Sequence, residues 1–243
     1  MAQNMDHSKM NTTQPHSWDP EELLRQTIAN FQSTPKGNEL GKEAELAAAI
    51  IYQEYVEKKD HDQSSCSVFM KKMFVILDYL YFQHTLTDHE VQVKVCRQAA
   101  FSANGDFTGL YRDKKIYIFR FSSRDGEALG PEVMVSTLIH EMCHAYFHLM
   151  TDGEKYQDQV STNGGHGLPW NALYHTIGND FTQLEGLGPV GQLVDETGCN
   201  EEIELNDRLS YQLDDDPVSE PTGEEESRVP PGDEGKNTFL KLL

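Results

Sequence analysis

Two histidines four residues apart, with a glutamate directly after the first, occur at His140-Glu141-Met142-Cys143-His144. On a helix, positions four apart are ~40° apart around the axis and ~6 Å along it, so both imidazoles can reach one ion at ~2.0–2.1 Å. Neutral imidazole nitrogen is a zinc donor, and a catalytic zinc keeps three protein ligands and leaves one position for water. The ion lowers the pKa of that water towards ~7. A carboxylate beside the first ligand can take the water's proton and later pass it to a leaving amine. The H-E-x-x-H spacing therefore points to zinc-assisted amide hydrolysis, with His140 and His144 as ligands and Glu141 as general acid/base. A purely structural zinc site would more often be closed by thiolates and would not need the glutamate.

The third ligand has to come from elsewhere. His148 repeats the spacing but lies ~12 Å along the helix from His140, too far to share its ion. His166, in Asn163-Gly164-Gly165-His166-Gly167, is the better candidate, because glycines let the backbone approach a site closely and turn the imidazole inward. A glutamate ligand, Glu154 or Glu185, is the rival. His175 reads as structural or supporting, and Cys143, with no base in view, as a small buried side chain.

The surrounding pattern supplies a helix for the motif. Gly130-Pro131-Glu132 starts a helix over about 131–150. Val135, Leu138, Met142, Ala145 and Leu149 fall on the face roughly opposite His140, which predicts one side in the core and the other presenting His140, Glu141 and His144 to a cleft. A second helix, about 168–184, begins at Leu168-Pro169-Trp170. Upstream, Asp19-Pro20-Glu21-Glu22 opens a first helix with an N-cap carboxylate and a proline at the first position. Another helix follows at about 39–58, and the two together suggest a helical hairpin ahead of the main domain. Ser64-Ser65 opens a third helix running to Phe82, apolar on most faces and so predicted to be buried.

After Thr85-Leu86-Thr87-Asp88 the period changes to two. Val91–Val95 and Ile116–Phe121 alternate as strands do, and Thr108–Tyr111 reads as a short strand between turn signals at Asn104-Gly105-Asp106 and Arg112–Lys115. An antiparallel meander of about three strands is expected, and with the helices this makes an α+β fold. Four boundaries follow: a polar N-terminus at 1–18, a helical extension at 19–60, a catalytic domain at 65–185 and an acidic segment at 186–243.

Composition narrows the function classes. The 243 residues carry 40 acidic and 20 basic side chains, a formal net charge of −20. Such a surface repels phosphate backbones at long range, so nucleic acid could bind only through a local basic patch. Lys71-Lys72 and Lys114-Lys115 are the basic pairs of the domain, and each reads as a solvated edge. Residues 185–243 hold sixteen acids and four bases, and the last thirty have too little apolar surface to order themselves. No stretch approaches the ~18 apolar residues of a spanning helix, and the N-terminus has no secretory pattern. The four cysteines include no CxxC pair, which excludes a zinc ribbon built from this chain and suggests a reducing compartment, nucleus or cytoplasm.

The run Ser136-Thr137-Leu138-Ile139-His140-Glu141-Met142-Cys143-His144-Ala145-Tyr146, followed by Gly165-His166-Gly167 and an aromatic near a helix start, resembles the SprT-like metalloprotease domain. This family includes Spartan and the germ-cell nuclear acidic proteins. Phe74, Leu77 and Tyr81-Phe82 on the upstream helix and Ile116-Tyr117-Ile118 in the sheet extend the likeness over about residues 65–185. The resemblance implies a minimal zincin fold with a small antiparallel sheet, His140, His144 and His166 as zinc ligands, and Glu141 as the catalytic acid/base. For eukaryotic members it also implies proteolysis of proteins trapped on DNA. The basic DNA-binding tail and the CxxC module of many relatives have no counterpart among these residues. The polar stretch 151–164 is placed to regulate the cleft. Two readings compete with an endopeptidase: a zinc-stabilised module that binds basic proteins through its acidic segment, and a hydrolase of small amides. Oligomeric state is left open.

Overall fold

The computed structural model describes residues 18–33, 39–58, 62–97, 107–120, 131–152 and 166–184. In chain order these form α1 (Pro20–Ser33), α2 (Glu39–Glu57), α3 (Gln63–Phe82), the single turn α4 (Thr85–Asp88), β1 (Gln92–Arg97), β2 (Phe107–Arg112), β3 (Lys115–Arg120), α5 (Pro131–Met150) and α6 (Leu168–Phe181). The fold is α+β, mostly helical with one three-stranded sheet. No helix among the described residues is long and apolar enough to cross a membrane. The acidic segment 186–243, residues 153–164 of the polar stretch 151–164, the turn at 104–106, and the rival ligands Glu154 and Glu185 all lie outside the described residues.

Local signals start the helices. Asp19 Oδ1 accepts from the backbone N–H groups of Glu21 (3.0 Å) and Glu22 (3.3 Å), satisfying donors that the first turn of α1 would otherwise leave open. For α3 the capping residue is Asp62 rather than Ser64 or Ser65. Its Oδ1 accepts from Ser65 N at 2.7 Å and Ser65 Oγ at 2.6 Å, so the serine supports the cap from inside the helix. At the other end of α3, Gln83 and His84 take left-handed backbone angles (φ 53° and 64°), and His84 N donates to Asp78 O at 3.2 Å. Asp78, fully buried, then accepts from Leu86 N, Thr87 N and Thr87 Oγ1 at 3.1, 2.8 and 2.6 Å, which holds α4 against the end of α3.

The sheet corrects the expected antiparallel meander. Its order is β1-β3-β2, with β1 parallel and β2 antiparallel to β3. Asp113 and Lys114 both have positive φ (51° and 59°), the two-residue turn whose twist suits a hairpin, so β2 and β3 must be neighbours. Residues 98–106 make the β1–β2 connection too long for such a turn, and β2 lies beyond β3 instead of beside β1. The centre goes to the strand with most to bury: Ile116 and Ile118 of β3 are fully buried, and Val93 of β1 pairs in register with Ile116. That face rests on α3 and α5.

α1 and α2 pack on the rest of the chain more than on each other. α1 lies against α3 and α6, and Leu23 is fully buried there. Thr27 Oγ1 donates to Leu23 O at 2.7 Å, which uses its one proton, so the 2.9 Å contact with Tyr146 Oη of α5 has the tyrosine as donor. Burial pushes the Tyr146 phenol up to about 12, keeping that proton in place. Trp18 N donates to Met150 O at 3.2 Å, tying the start of α1 to the end of α5. α2 packs along α3: Tyr55 stacks on Phe69 with centroids 4.1 Å apart, and its hydroxyl meets Cys66 Sγ at 2.9 Å.

Candidate metal centre

α5 carries the H-E-x-x-H motif and is buried on nearly its whole circumference, fourteen of its twenty residues being inside. The expected division into a core face and a cleft face therefore needs amending. One side of α5 meets α1, α3 and the sheet. The side bearing His140 and His144 is covered by α6, so the imidazoles lie in the α5–α6 interface. His140 and Glu141 are 7% and 2% exposed, and His144 is half-buried.

His166 reaches the same place from the other element. Gly167 caps α6 in an extended conformation (φ −62°, ψ 171°), and Pro169 occupies its first turn. Asn171 N donates to Gly167 O at 3.0 Å, while Asn171 Nδ2 donates to His166 O at 2.5 Å. These bonds fasten the histidine backbone to the first turn of α6 and direct a 4% exposed imidazole at α5.

The three Nε2 atoms form a nearly equilateral triangle: His140 to His144 is 3.2 Å, His144 to His166 is 3.1 Å, and His166 to His140 is 3.1 Å. Hydrogen bonding cannot account for this. Each imidazole nitrogen has one in-plane direction, for either a proton or a lone pair, and cannot serve two partners at once. Three lone pairs aimed at a common point can share one cation. Ligands ~2.0–2.1 Å from a tetrahedral zinc lie ~3.3 Å from one another, close to the observed sides. The three side chains thus form the group among the described residues that could hold a metal ion. Burial, then the neighbouring His140 and His166, holds His144 well below the ordinary histidine pKa, in the neutral form a metal requires.

Glu141 Oε1 lies 3.8 Å from His140 Nε2, so the carboxylate borders the point where the nitrogens converge. Cys143, fully buried, has its thiol pushed well up, first by desolvation and then by Glu141, which leaves it unreactive as read from the sequence. His148 is exposed and sits edge-on to Tyr111 of β2 at 5.6 Å, outside the triangle. His175 is exposed on α6 beside Tyr174 and is likewise not part of it.

Of two aromatic neighbours of the cluster, the sequence reading used Trp170 only as part of the family likeness and passed over Tyr174. Trp170, 1% exposed, lies against all three imidazoles, and Tyr174 stacks behind it with its hydroxyl 2.9 Å from Ser136 Oγ. The signal was available in the i, i+4 aromatic pair that begins four residues after His166.

The model of the SprT-like family matches residues 70–187, from within α3 to beyond α6. No curated protein and no solved structure matches the chain.

Proposed function

Residues 70–187 are a SprT-like domain, and from that premise we propose that the chain is a zinc-dependent endopeptidase. The observation that carries this reading is the triangle of Nε2 atoms with Glu141 at its border. His140, His144 and His166 hold the ion. When bound, zinc supplies a Lewis acid that brings the pKa of a water molecule towards ~7. Glu141 takes a proton from the attacking water at a carboxylate oxygen and returns it to the nitrogen of the leaving amine. Its burial keeps bulk water from competing for that proton.

A protein substrate is favoured over a small amide by the position of β2. Among the described residues this strand is an edge of the sheet and packs against α5, so its outer backbone can pair with an extended peptide laid near the motif. Substrates held on DNA are a narrower reading. It is supported by the strands themselves, which carry Lys94, Arg97, Arg112, Lys115 and Arg120 and no acidic residue in a chain of net charge −20. By register, Lys94, Lys115 and Arg112 share the face opposite buried Val93, Ile116 and Ile118. A nuclear location would follow from such substrates.

The test is Glu141→Gln. Zinc content should stay within about twofold of the parent, while hydrolysis of an unfolded protein falls by at least ~10³. Turnover unchanged in that variant rejects the assignment of Glu141. A metal-loaded parent that cleaves no protein, with or without single-stranded DNA, leaves the zinc-stabilised binding module as the function.

A further inference from the structure

His144, Trp170 and Tyr174 form a column of rings across the α5–α6 interface. The indole is 4.8 Å from the His144 ring at an interplanar angle of 25°, and Tyr174 is 5.0 Å beyond it at 26°. The column ends where Tyr174 Oη meets Ser136 Oγ at 2.9 Å, back on α5 one turn before His140. Trp170 also lies 4.6 Å from the His140 ring and 4.3 Å from the His166 ring, while the three imidazole centroids are each 4.9 Å apart. A ring almost equidistant from three corners lies over the centre of their triangle. The indole therefore closes one mouth of the cluster. Among the described residues, this leaves the opposite mouth for water or a substrate carbonyl to reach the converging nitrogens.

Packing, not the polar edge, sets the position of this indole. Trp170 is 1% exposed, and its Nε1–H has no hydrogen-bond partner among the described residues. A buried tryptophan ordinarily uses that donor, so leaving it unmade costs free energy that another contact must offset. The faces and edges turned to the three imidazoles and to Tyr174 are those contacts.

We propose that Trp170 is a positioning residue for the metal ligands: its indole fixes the planes of all three imidazoles and restricts access to the ion to a single side. The proposal rests on the metal reading above. It also makes Trp170 an internal reporter, because the ring lies within van der Waals reach of every ligand.

The chain has two tryptophans, Trp18 and Trp170, so Trp18→Phe leaves Trp170 as the sole indole emitter. Titrating that chain with Co²⁺ should reduce its emission by more than about half, in step with the visible ligand-field bands and saturating at one ion per chain. Zinc affinity, measured by competition with a chromophoric chelator, should fall roughly tenfold to a hundredfold in Trp170→Leu and stay within about threefold in Trp170→Phe. The Co²⁺ bands of Trp170→Leu should shift in position and intensity. Ser136→Ala removes only the hydroxyl that ends the column and should weaken zinc by roughly twofold to fivefold with unchanged circular dichroism. This arm decides the matter if Trp170→Leu does not fold. Parental zinc affinity in Trp170→Leu or in Ser136→Ala, or Trp170 emission unaffected by bound Co²⁺, overturns the proposal. A parent chain that binds no ion defeats the metal reading itself, whereas tight binding by parent and leucine variant alike defeats only the role of Trp170.

Discussion

The Nε2 atoms of His144 and His166 lie 3.1 Å apart although 22 positions separate them and they sit on different elements. His140 and His144 are brought together by helical periodicity alone, so they would converge in any folded α5. His166 converges with them only because α6 packs on α5 and Asn171 fastens the backbone at its first turn. The third imidazole is thus the member of the triangle that depends on tertiary structure.

A direct comparison follows. His166→Ala removes one of three donors and should weaken zinc binding on the order of a hundredfold or more, since two imidazoles leave the ion short of protein ligands. His148→Ala, on an exposed ring facing Tyr111, should leave affinity within about twofold. Chelator competition on the two purified variants measures both numbers. Equal losses would show that the outer ligand lies elsewhere.

Metal and fold should also be linked through heat stability. An ion that binds the folded chain alone stabilises it by roughly 4 kcal/mol when present at ~1,000 times its dissociation constant. In a domain of this size each kcal/mol raises Tm by roughly 3–6 °C. Scanning calorimetry with and without a chelator should therefore show a drop of more than ~10 °C for the parent chain. In His166→Ala the drop should be nearly abolished. A chelator-insensitive parent would mean that the triangle holds no ion in solution.

How far the sequence announces this structure depends on the distance over which each feature is encoded. The start of α1, the start of α5 and the pairing of His140 with His144 depend on residues within one or two turns, and they are readable from Asp19-Pro20, from Gly130-Pro131 and from i, i+4 spacing. His166 was singled out by its glycine context, and it is the third imidazole the fold brings in. The strand order was not readable, because placing β3 between β1 and β2 is decided by which strand best fills the space over α3 and α5. The ring column was missed for a related reason: Trp170 and Tyr174 meet the imidazoles only once α5 is set against them. Asp78 acquires its role only through tertiary structure, because the chain reversal at Gln83-His84 turns its carboxylate into the cap of α4.

The place of α1 can be tested by removing it. Leu23 is fully buried, and the Tyr146 hydroxyl donates to Thr27, which joins α1 to the helix carrying the metal motif. Deleting residues 1–33 should expose the apolar surface that Leu23 covers on α3 and α6 and destabilise the remainder by several kcal/mol, on the order of what one or two buried leucines contribute. Thr27→Val is gentler and keeps the shape. It should cost about 1 kcal/mol, because Tyr146 loses a buried acceptor. Tyr146→Phe should cost a similar amount, and the double variant less than the sum, which urea denaturation can resolve. Strict additivity would mean that the two hydroxyls do not interact.

Asp78 gives the sharpest prediction away from the metal centre. Its carboxylate is fully buried and accepts from Leu86 N, Thr87 N and Thr87 Oγ1. Asp78→Ala leaves buried donors without partners and should destabilise the fold by roughly 2–3 kcal/mol. Burial raises the carboxyl pKa, while the bonds from Thr87 and Leu86 and the neighbouring His84 oppose the rise without cancelling it. Between the usual aspartate value and the raised one, the folded chain holds a proton that the unfolded chain has released. Linkage then makes this residue's contribution to stability fall as pH increases through that window and recover as pH decreases. Asp78→Asn cannot titrate, so the stability of the parent relative to Asp78→Asn should decline with rising pH across the window and level off above it. Urea midpoints of both chains from pH 4 upward measure the difference. A parent that instead gains on the asparagine variant as pH rises would show that the bonds from Thr87 and Leu86 outweigh burial.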